Sequence, residues 1–194
     1  MKLCVAYCRV STDHEDQKNS IEEQKKQWLE LFSQVGYYPA KVGLLYKKDG
    51  SKQIVHGIFA DEGISGTSLR NRKAFETMLE YAKKKAFDII YVEDISRFTR
   101  NVEDGIKVIK DLREIGVAVY FRKENINTLK ADKDFEITLR MAIYQEESRV
   151  KSERIKWAIN RLHLKGGWNS GSPYGYDVVK GFLQVNQQEA KQCN

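Results

Sequence analysis

Cysteine, histidine and proline are all scarce in this 194-residue chain, with three, three and two copies. Cys4, Cys8 and Cys193 form no C-x-x-C motif. Cys4 and Cys8 fall in or beside one predicted strand, too close for a disulfide within it. His14, His56 and His163 are scattered. The cysteines therefore read as core or incidental residues, and neither a zinc site nor any other metal site is expected. Long apolar runs are also missing: nothing approaches the roughly 20 residues that a membrane span needs. Lys2 leads into only a short apolar run followed by charge, so no signal peptide is expected and the protein reads as cytoplasmic. Internal repeats, low-complexity tracts and a glycine-rich phosphate loop are absent too.

What is present is a soluble globular composition, 41% hydrophobic and 31% charged, long enough for one α/β domain with an appendage. The net charge is +6 and the pI about 9.1, a balance that suits an acidic partner such as nucleic acid.

Leu3 to Val10 reads as a buried strand. Ile21, Trp28, Phe32 and Val35 recur at helical spacing, so an amphipathic helix is expected from Ser20 to about Gln34, with Ser20 and Glu23 as a capping box and Gly36 as its stop. Val42–Tyr46 and Gln53–Phe59 are β-prone runs around Asp49-Gly50, a hairpin signal. A helix follows over Lys73–Lys85, with Phe75, Met78, Leu79 and Ala82 inward. Asp88–Glu93 reads as a buried strand, Asp94–Arg100 as a loop, Val102–Ile115 as a helix and Val117–Phe121 as a further strand. Strands alternating with helices predict an α/β domain with a mostly parallel sheet.

No Pro or Gly interrupts Lys133 to Leu164, which predicts one long helix. Phe135, Leu139, Ala142, Ile143, Glu146 and Val150 trace one face, apolar enough to pack in its first half. The second half carries Arg149, Lys151, Arg154, Lys156, Arg161 and Lys165 against few acids. Gly166-Gly167 ends it, and Trp168–Asn194, rich in aromatic and turn residues, is too short for a core of its own.

Chemistry concentrates at loops. In Arg9-Val10-Ser11, at the end of the first strand, the period-two alternation puts a guanidinium and a hydroxyl on one side. A serine there is most often a turn residue or a helix cap, and equally it is where a nucleophile attacking a phosphate would sit. Arg70 and Arg72 precede the second helix, and Arg97 and Arg100 follow the second buried strand. Ligands of open α/β sheets gather outside the carboxyl ends of the strands, so these arginines could converge. Guanidinium groups bind phosphate oxygens bidentately and stabilise the extra charge of a five-coordinate transition state.

Six stretches in order, YCRVST (7–12), NSIEEQ (19–24), FADEGISGTS (59–68), NRKAF (71–75), ISRFTRN (95–101) and QEESRVKSERI (145–155), resemble the catalytic domain of the serine recombinases, the resolvase/invertase superfamily. The resemblance covers about residues 1–165. It implies a resolvase-like three-layer α/β domain, with a central mostly parallel sheet followed by a long α-helix. It further implies that Ser11 is the nucleophile, forming a 5′-phosphoserine link to DNA and releasing a 3′-hydroxyl without ATP, metal or other cofactor. Arg9, Arg72, Arg97 and Arg100 would bind the scissile phosphate. Gln24 and Asp61 match further active-site positions, with Asn19 a neighbour. Glu147 matches a position near the oligomer contacts, and Arg154, Lys156, Arg161 and Lys165 lie on the part of the helix that approaches DNA. The partners implied are double-stranded DNA and a homodimer that becomes a tetramer in synapsis.

Ser96 stands where many small resolvases carry aspartate. This favours the large serine recombinases, of transposase or integrase type, and removes one candidate acid for the leaving 3′-oxygen. Ser172-Pro173-Tyr174-Gly175-Tyr176 resembles the opening of the domain that follows in that branch, so the chain reads as the front of a longer protein: a core over 1–132, a long helix over 133–166 and the start of a DNA-binding domain over 167–194. The hairpin at 47–52 looks like a tolerated insertion. His14, three residues from Ser11, is a weak candidate base, and His56 and His163 have no evident partners. The rival readings are a metal-dependent nuclease using Asp61, Glu93 and Asp94, and a non-catalytic phosphate-binding α/β module.

Overall fold

The computed structural model describes residues 2–10, 18–47, 49–62, 72–99 and 101–190, with backbone alone at Val10, residues 18–22, Glu62, Ala131 and Ala190. In chain order the elements are β1 (Leu3–Val10), α1 (Lys18–Gln34), β2 (Tyr38–Pro39), β3 (Leu44–Tyr46), β4 (Lys52–Gln53), β5 (Ile58–Glu62), α2 (Lys73–Lys83), β6 (Ile89–Val92), α3 (Ile95–Phe98), α4 (Val102–Glu114), β7 (Ala118–Phe121), β8 (Ile126–Asn127), α5 (Asp134–Leu164), β9 (Tyr176–Val179), β10 (Phe182–Val185) and α6 (Gln187–Ala190). Two compact units result, Met1–Gln145 and Glu146–Asn194.

The first unit is built on an eight-stranded sheet of order β4-β3-β5-β1-β6-β7-β8, with β2 pairing β1. Every pairing among β1, β2, β3, β5, β6 and β7 is parallel; only the edge pairs β3–β4 and β7–β8 are antiparallel. Buried on both faces, β1 and β6 read as nearly continuous apolar runs, as parallel strands do. Alternation divides the side chains of β1: Val5 and Tyr7 enter one core cluster, and Cys4, Ala6 and Cys8 the other. The second cluster is closed by α1, whose Trp28 and Phe32 pack on Tyr91 with ring centroids 6.0 and 5.4 Å apart. The first cluster takes Phe75, Met78 and Ala82 of α2, Ile109 and Leu112 of α4, and Ile137 and Met141 of α5. Helices on both faces of a mainly parallel sheet make the three layers expected.

Several elements depart from the sequence reading. α1 begins at Lys18, so Ser20 lies inside its first turn and is not its cap, and Val35 is exposed rather than inward. Gly36, at φ +70°, does end it. The run Gln53–Phe59 is not one strand. Lys52–Gln53 pairs antiparallel with β3 in the Asp49-Gly50 hairpin, whereas β5 returns parallel to β3 after a turn at Gly57, φ +76°. The predicted loop after β6 contains α3, capped by Asp94, whose side chain accepts from the Arg97 amide.

The largest difference is on α5. Phe135, Leu139 and Ile143 are 80%, 51% and 49% exposed, while the buried positions are Ile137 and Met141. The helix carries two apolar stripes about half a turn apart, and periodicity alone does not say which one meets the core. Arg149, one of the basic residues read as standing against few acids, contacts both Glu146 and Glu153. In the second unit, β9 and β10 form a hairpin turned at Lys180 and Gly181, both at positive φ as a two-residue turn requires.

Phe121 is fully buried, edge-on to Phe98 with centroids 5.6 Å apart. Phe121→Ala is expected to lower unfolding free energy by about 3–5 kcal/mol, read by urea denaturation. Ile54→Ser, at a position 76% exposed, should change it by less than about 0.5 kcal/mol.

Candidate active site

At the carboxyl edge of the sheet, Arg9 is the penultimate residue of β1, and β6 runs into α3, which carries Arg97. These two strands are neighbours in the sheet. Arg97 Nη1 donates to the Arg9 carbonyl at 3.3 Å. A cavity of about 220 Å³ opens here, lined by Arg9, Arg97, Gln24 and Gln27, with Glu93 at the end of β6 and Trp28 behind. Two guanidinium groups and two amides in one cleft suit an anionic, oxygen-rich ligand. Cys8 also lines the cleft, but burial pushes its thiol up to about 12, so it is no rival nucleophile.

Asp61 and Arg72 lie deeper. Asp61 is fully buried, and its carboxylate accepts from Tyr7 Oη at 2.9 Å, the Ala74 amide at 2.9 Å and the Phe75 amide at 3.2 Å. It thereby anchors the first turn of α2 to β5. Arg72 is buried as well. Its Nε donates to Tyr7 Oη at 3.0 Å, Nη1 to the Phe98 carbonyl at 2.6 Å and Nη2 to the Arg97 carbonyl at 3.1 Å, while its guanidinium lies 4.0 Å from the Phe75 ring centroid. Tyr7 is thus the hinge of the network, donating to Asp61 and accepting from Arg72. Burial raises the Asp61 pKa above its ordinary 3.8, and the bonds from Ala74, Tyr7 and Phe75 with the Arg72 charge offset this only in part.

Of the residues singled out in the sequence, Arg9, Arg97 and Gln24 line one cleft, and Asp61 and Arg72 belong to the network beside it. Ser11, Arg100 and His14 lie outside the described residues, as does the Asn19 side chain. Arg154, Lys156, Arg161, Lys165 and Glu147 are exposed in the second unit; Arg161 stacks its guanidinium over Trp157 at 5.2 Å. His163 does have partners, Asn169 at 3.1 Å and the stacked Trp168 ring. Asp61, Glu93 and Asp94 do not converge as a nuclease would need. Asp61 is directed at Tyr7 and α2, Asp94 accepts from Ser96, Arg97 and Lys123, and Glu93 pairs with Arg122 at 3.2 Å. Among the described residues no three His, Cys, Asp or Glu side chains are placed to hold a metal ion.

Sequence reasoning missed Tyr7, Trp28 and Gln27 as members of the site, and offered Glu93 only as part of the rival nuclease set. Tyr7 stands two residues before Arg9, so the strand alternation that linked Arg9 to Ser11 could have found it. Trp28 and Gln27 reach the cleft only through packing.

The frame is an open α/β domain with a guanidinium-lined cleft at the carboxyl edge of its parallel strands. Residues 4–168 match the family described as "Resolvase, N terminal domain", and the chain belongs to that family of DNA recombinases. The fold is similar to that of the N-terminal catalytic domain of TP901-1 integrase, at 24% identity and a TM-score of 0.52 over 77% of this chain and 98% of that one. It is also similar to a resolvase family site-specific recombinase from Streptococcus pneumoniae, at 22% identity and a TM-score of 0.50 over 85% and 97%. No curated protein matches the sequence. No described helix is long and apolar enough to cross a membrane.

Tyr7→Phe leaves Asp61 and Arg72 each short of one buried partner, and should destabilise the fold by about 1–3 kcal/mol in urea. A second outcome concerns pH. A raised Asp61 pKa means that the folded state holds this proton more tightly than the unfolded chain. That contribution is fully present below the ordinary pKa and is lost as pH rises through the raised one. The stability of wild type relative to Asp61→Asn should therefore fall as pH rises upward from 3.8, measured by denaturant titrations along a pH series.

Proposed function

We propose that this chain is the catalytic part of a large serine recombinase, of integrase or transposase type, that cuts and rejoins DNA through Ser11. The observation that carries the reading is the meeting of Arg9 and Arg97 in one cleft, with Gln24 on its wall. In the proposed step, the Ser11 oxygen forms a bond to the phosphorus of a DNA phosphodiester and loses its proton. The bond from phosphorus to the 3′-oxygen breaks, and that oxygen takes up a proton. The 5′-phosphoserine link keeps one phosphoester bond for another, so resealing needs no ATP. Arg9 and Arg97, joined by Arg100, supply the positive charge that the five-coordinate phosphorane needs, in place of a metal ion. Arg72 and Asp61 would complete the machinery.

The same reading assigns double-stranded DNA and further copies of the chain as partners. Phe135, Leu139 and Ile143 present an exposed apolar stripe on α5, the kind of surface that a homodimer and a synaptic tetramer cover. Arg154, Lys156, Arg161 and Lys165 would meet the phosphate backbone, with Glu147 near the oligomer contacts and residues 167–194 opening a DNA-binding domain. The protein would work in the cytoplasm on the nucleoid.

The test is to trap the adduct. Incubated with a pool of nicked duplexes of randomised sequence, wild type should become covalently joined to DNA in the presence of EDTA, and Ser11→Ala should not. Cleavage that survives Ser11→Ala, or that needs a divalent cation, would overturn the proposal.

A further inference from the structure

The segment that carries Arg97 is held from outside by a turn whose three side chains match it residue for residue. β6 and β7 are parallel, and the pairing continues past their ends: the Arg122 amide donates to the Val92 carbonyl and the Lys123 amide to the Glu93 carbonyl, each at 2.9 Å. The side chains follow the same register. Arg122 Nε pairs with Glu93 at 3.2 Å, Lys123 Nζ with Asp94 at 3.2 Å, and Glu124 Oε1 accepts from the Ile95 amide at 3.5 Å. Asp94 passes this hold on to the arginine, since its Oδ1 accepts from the Arg97 amide at 3.0 Å and from Ser96 Oγ at 2.6 Å. Ser96 is thus committed to the cap.

Glu124 also faces the other way. Its Oε1 accepts from Tyr144 Oη of α5 at 3.0 Å, and its Oε2 is buried with no hydrogen-bond partner among the described residues. A second α5 side chain reaches the far end of the same segment, where Gln145 Oε1 accepts from the Val102 amide at 3.1 Å. Met141 packs where a Cβ on Gly105 would meet its sulfur at 2.9 Å and Thr99 at 2.3 Å, so no side chain fits between α5 and α4 there.

We propose that Arg122-Lys123-Glu124 is a positioning element for Arg97, and that Tyr144 ties this element to α5. The three residues of the turn do not line the cleft. The turn acts by holding Glu93, Asp94 and Ile95, and through them the α3 backbone from which Arg97 extends. Lys123 is exposed while Asp94 is buried, so this pair alone is partly screened by solvent, and the turn adds two further contacts in register with it. The inference deepens the proposed function, because positioning Arg97 matters for strand cleavage only if Arg97 serves the phosphate.

The experiment uses Lys123→Ala, Glu124→Ala and Tyr144→Phe, none of which removes an atom from the cleft. Adduct formation at saturating DNA, DNA affinity, the thermal midpoint, and amide exchange at Arg97 and Thr99 are read together. The expected result is a rate roughly two- to thirtyfold lower, the usual span for residues that act through a network. Affinity and midpoint should change little, exchange at both amides should be faster, and Lys123→Arg should restore the rate. Unchanged exchange in all three variants would overturn the inference, as would a rate loss that only tracks the thermal midpoint. If wild type forms no adduct, the proposed function fails, and the amide exchange still decides whether the turn holds the segment.

Discussion

A carboxylate buried without compensation is among the more expensive things a fold can contain, and this domain places one at the centre of its working edge. Asp61 is tolerated because Tyr7 and two amides of α2 donate to it, with the Arg72 charge close by. Arg72 in turn is committed to Tyr7 and to the carbonyls of Arg97 and Phe98. One network therefore joins β1, β5, α2 and α3. Truncating any member leaves another buried polar group short of a partner, so β1, which carries Arg9, and α3, which carries Arg97, are joined through this network.

The cleft is built on this frame from both sides of the sheet. The first core cluster carries Asp61 and Arg72 at its edge, and the second presents Trp28 and, one turn along α1, Gln24. The Tyr7 and Trp28 rings line the cleft beside Arg9 and Arg97, a low-dielectric backing against which the proposed attraction for an anion would be stronger. The turn at Arg122-Lys123-Glu124 adds a third support from the β7 side. Within the first unit, the start of α5 packs Ile137 and Met141 into the core and leaves Phe135, Leu139 and Ile143 bare.

Much of this was legible from residue order. Strand β1 and the helix–strand alternation were read at nearly their observed bounds, because buried parallel strands and amphipathic helices have distinct periods. Asp49-Gly50 marked its hairpin through turn chemistry. The short pieces β2, β8 and α3 were missed. Two or four residues carry no periodicity, and α3 depends on an Asp94 cap that looks like an ordinary loop aspartate. The bare stripe of α5 was read as the packing stripe for a related reason: both stripes satisfy the helical period equally well.

The sequence by itself determined the α/β class, the family motifs and the presence of arginines just past strand ends, since those depend on local period and spacing. Only the tertiary structure decided what each charged residue faces. Parallel pairing of β1 with β5 sets Arg9 opposite Asp61, and pairing of β6 with β7 sets Glu93 beside Arg122. Those neighbours are tens of residues apart in the chain. Their meeting is fixed by sheet order, which is a property of the whole core and is written in no single segment.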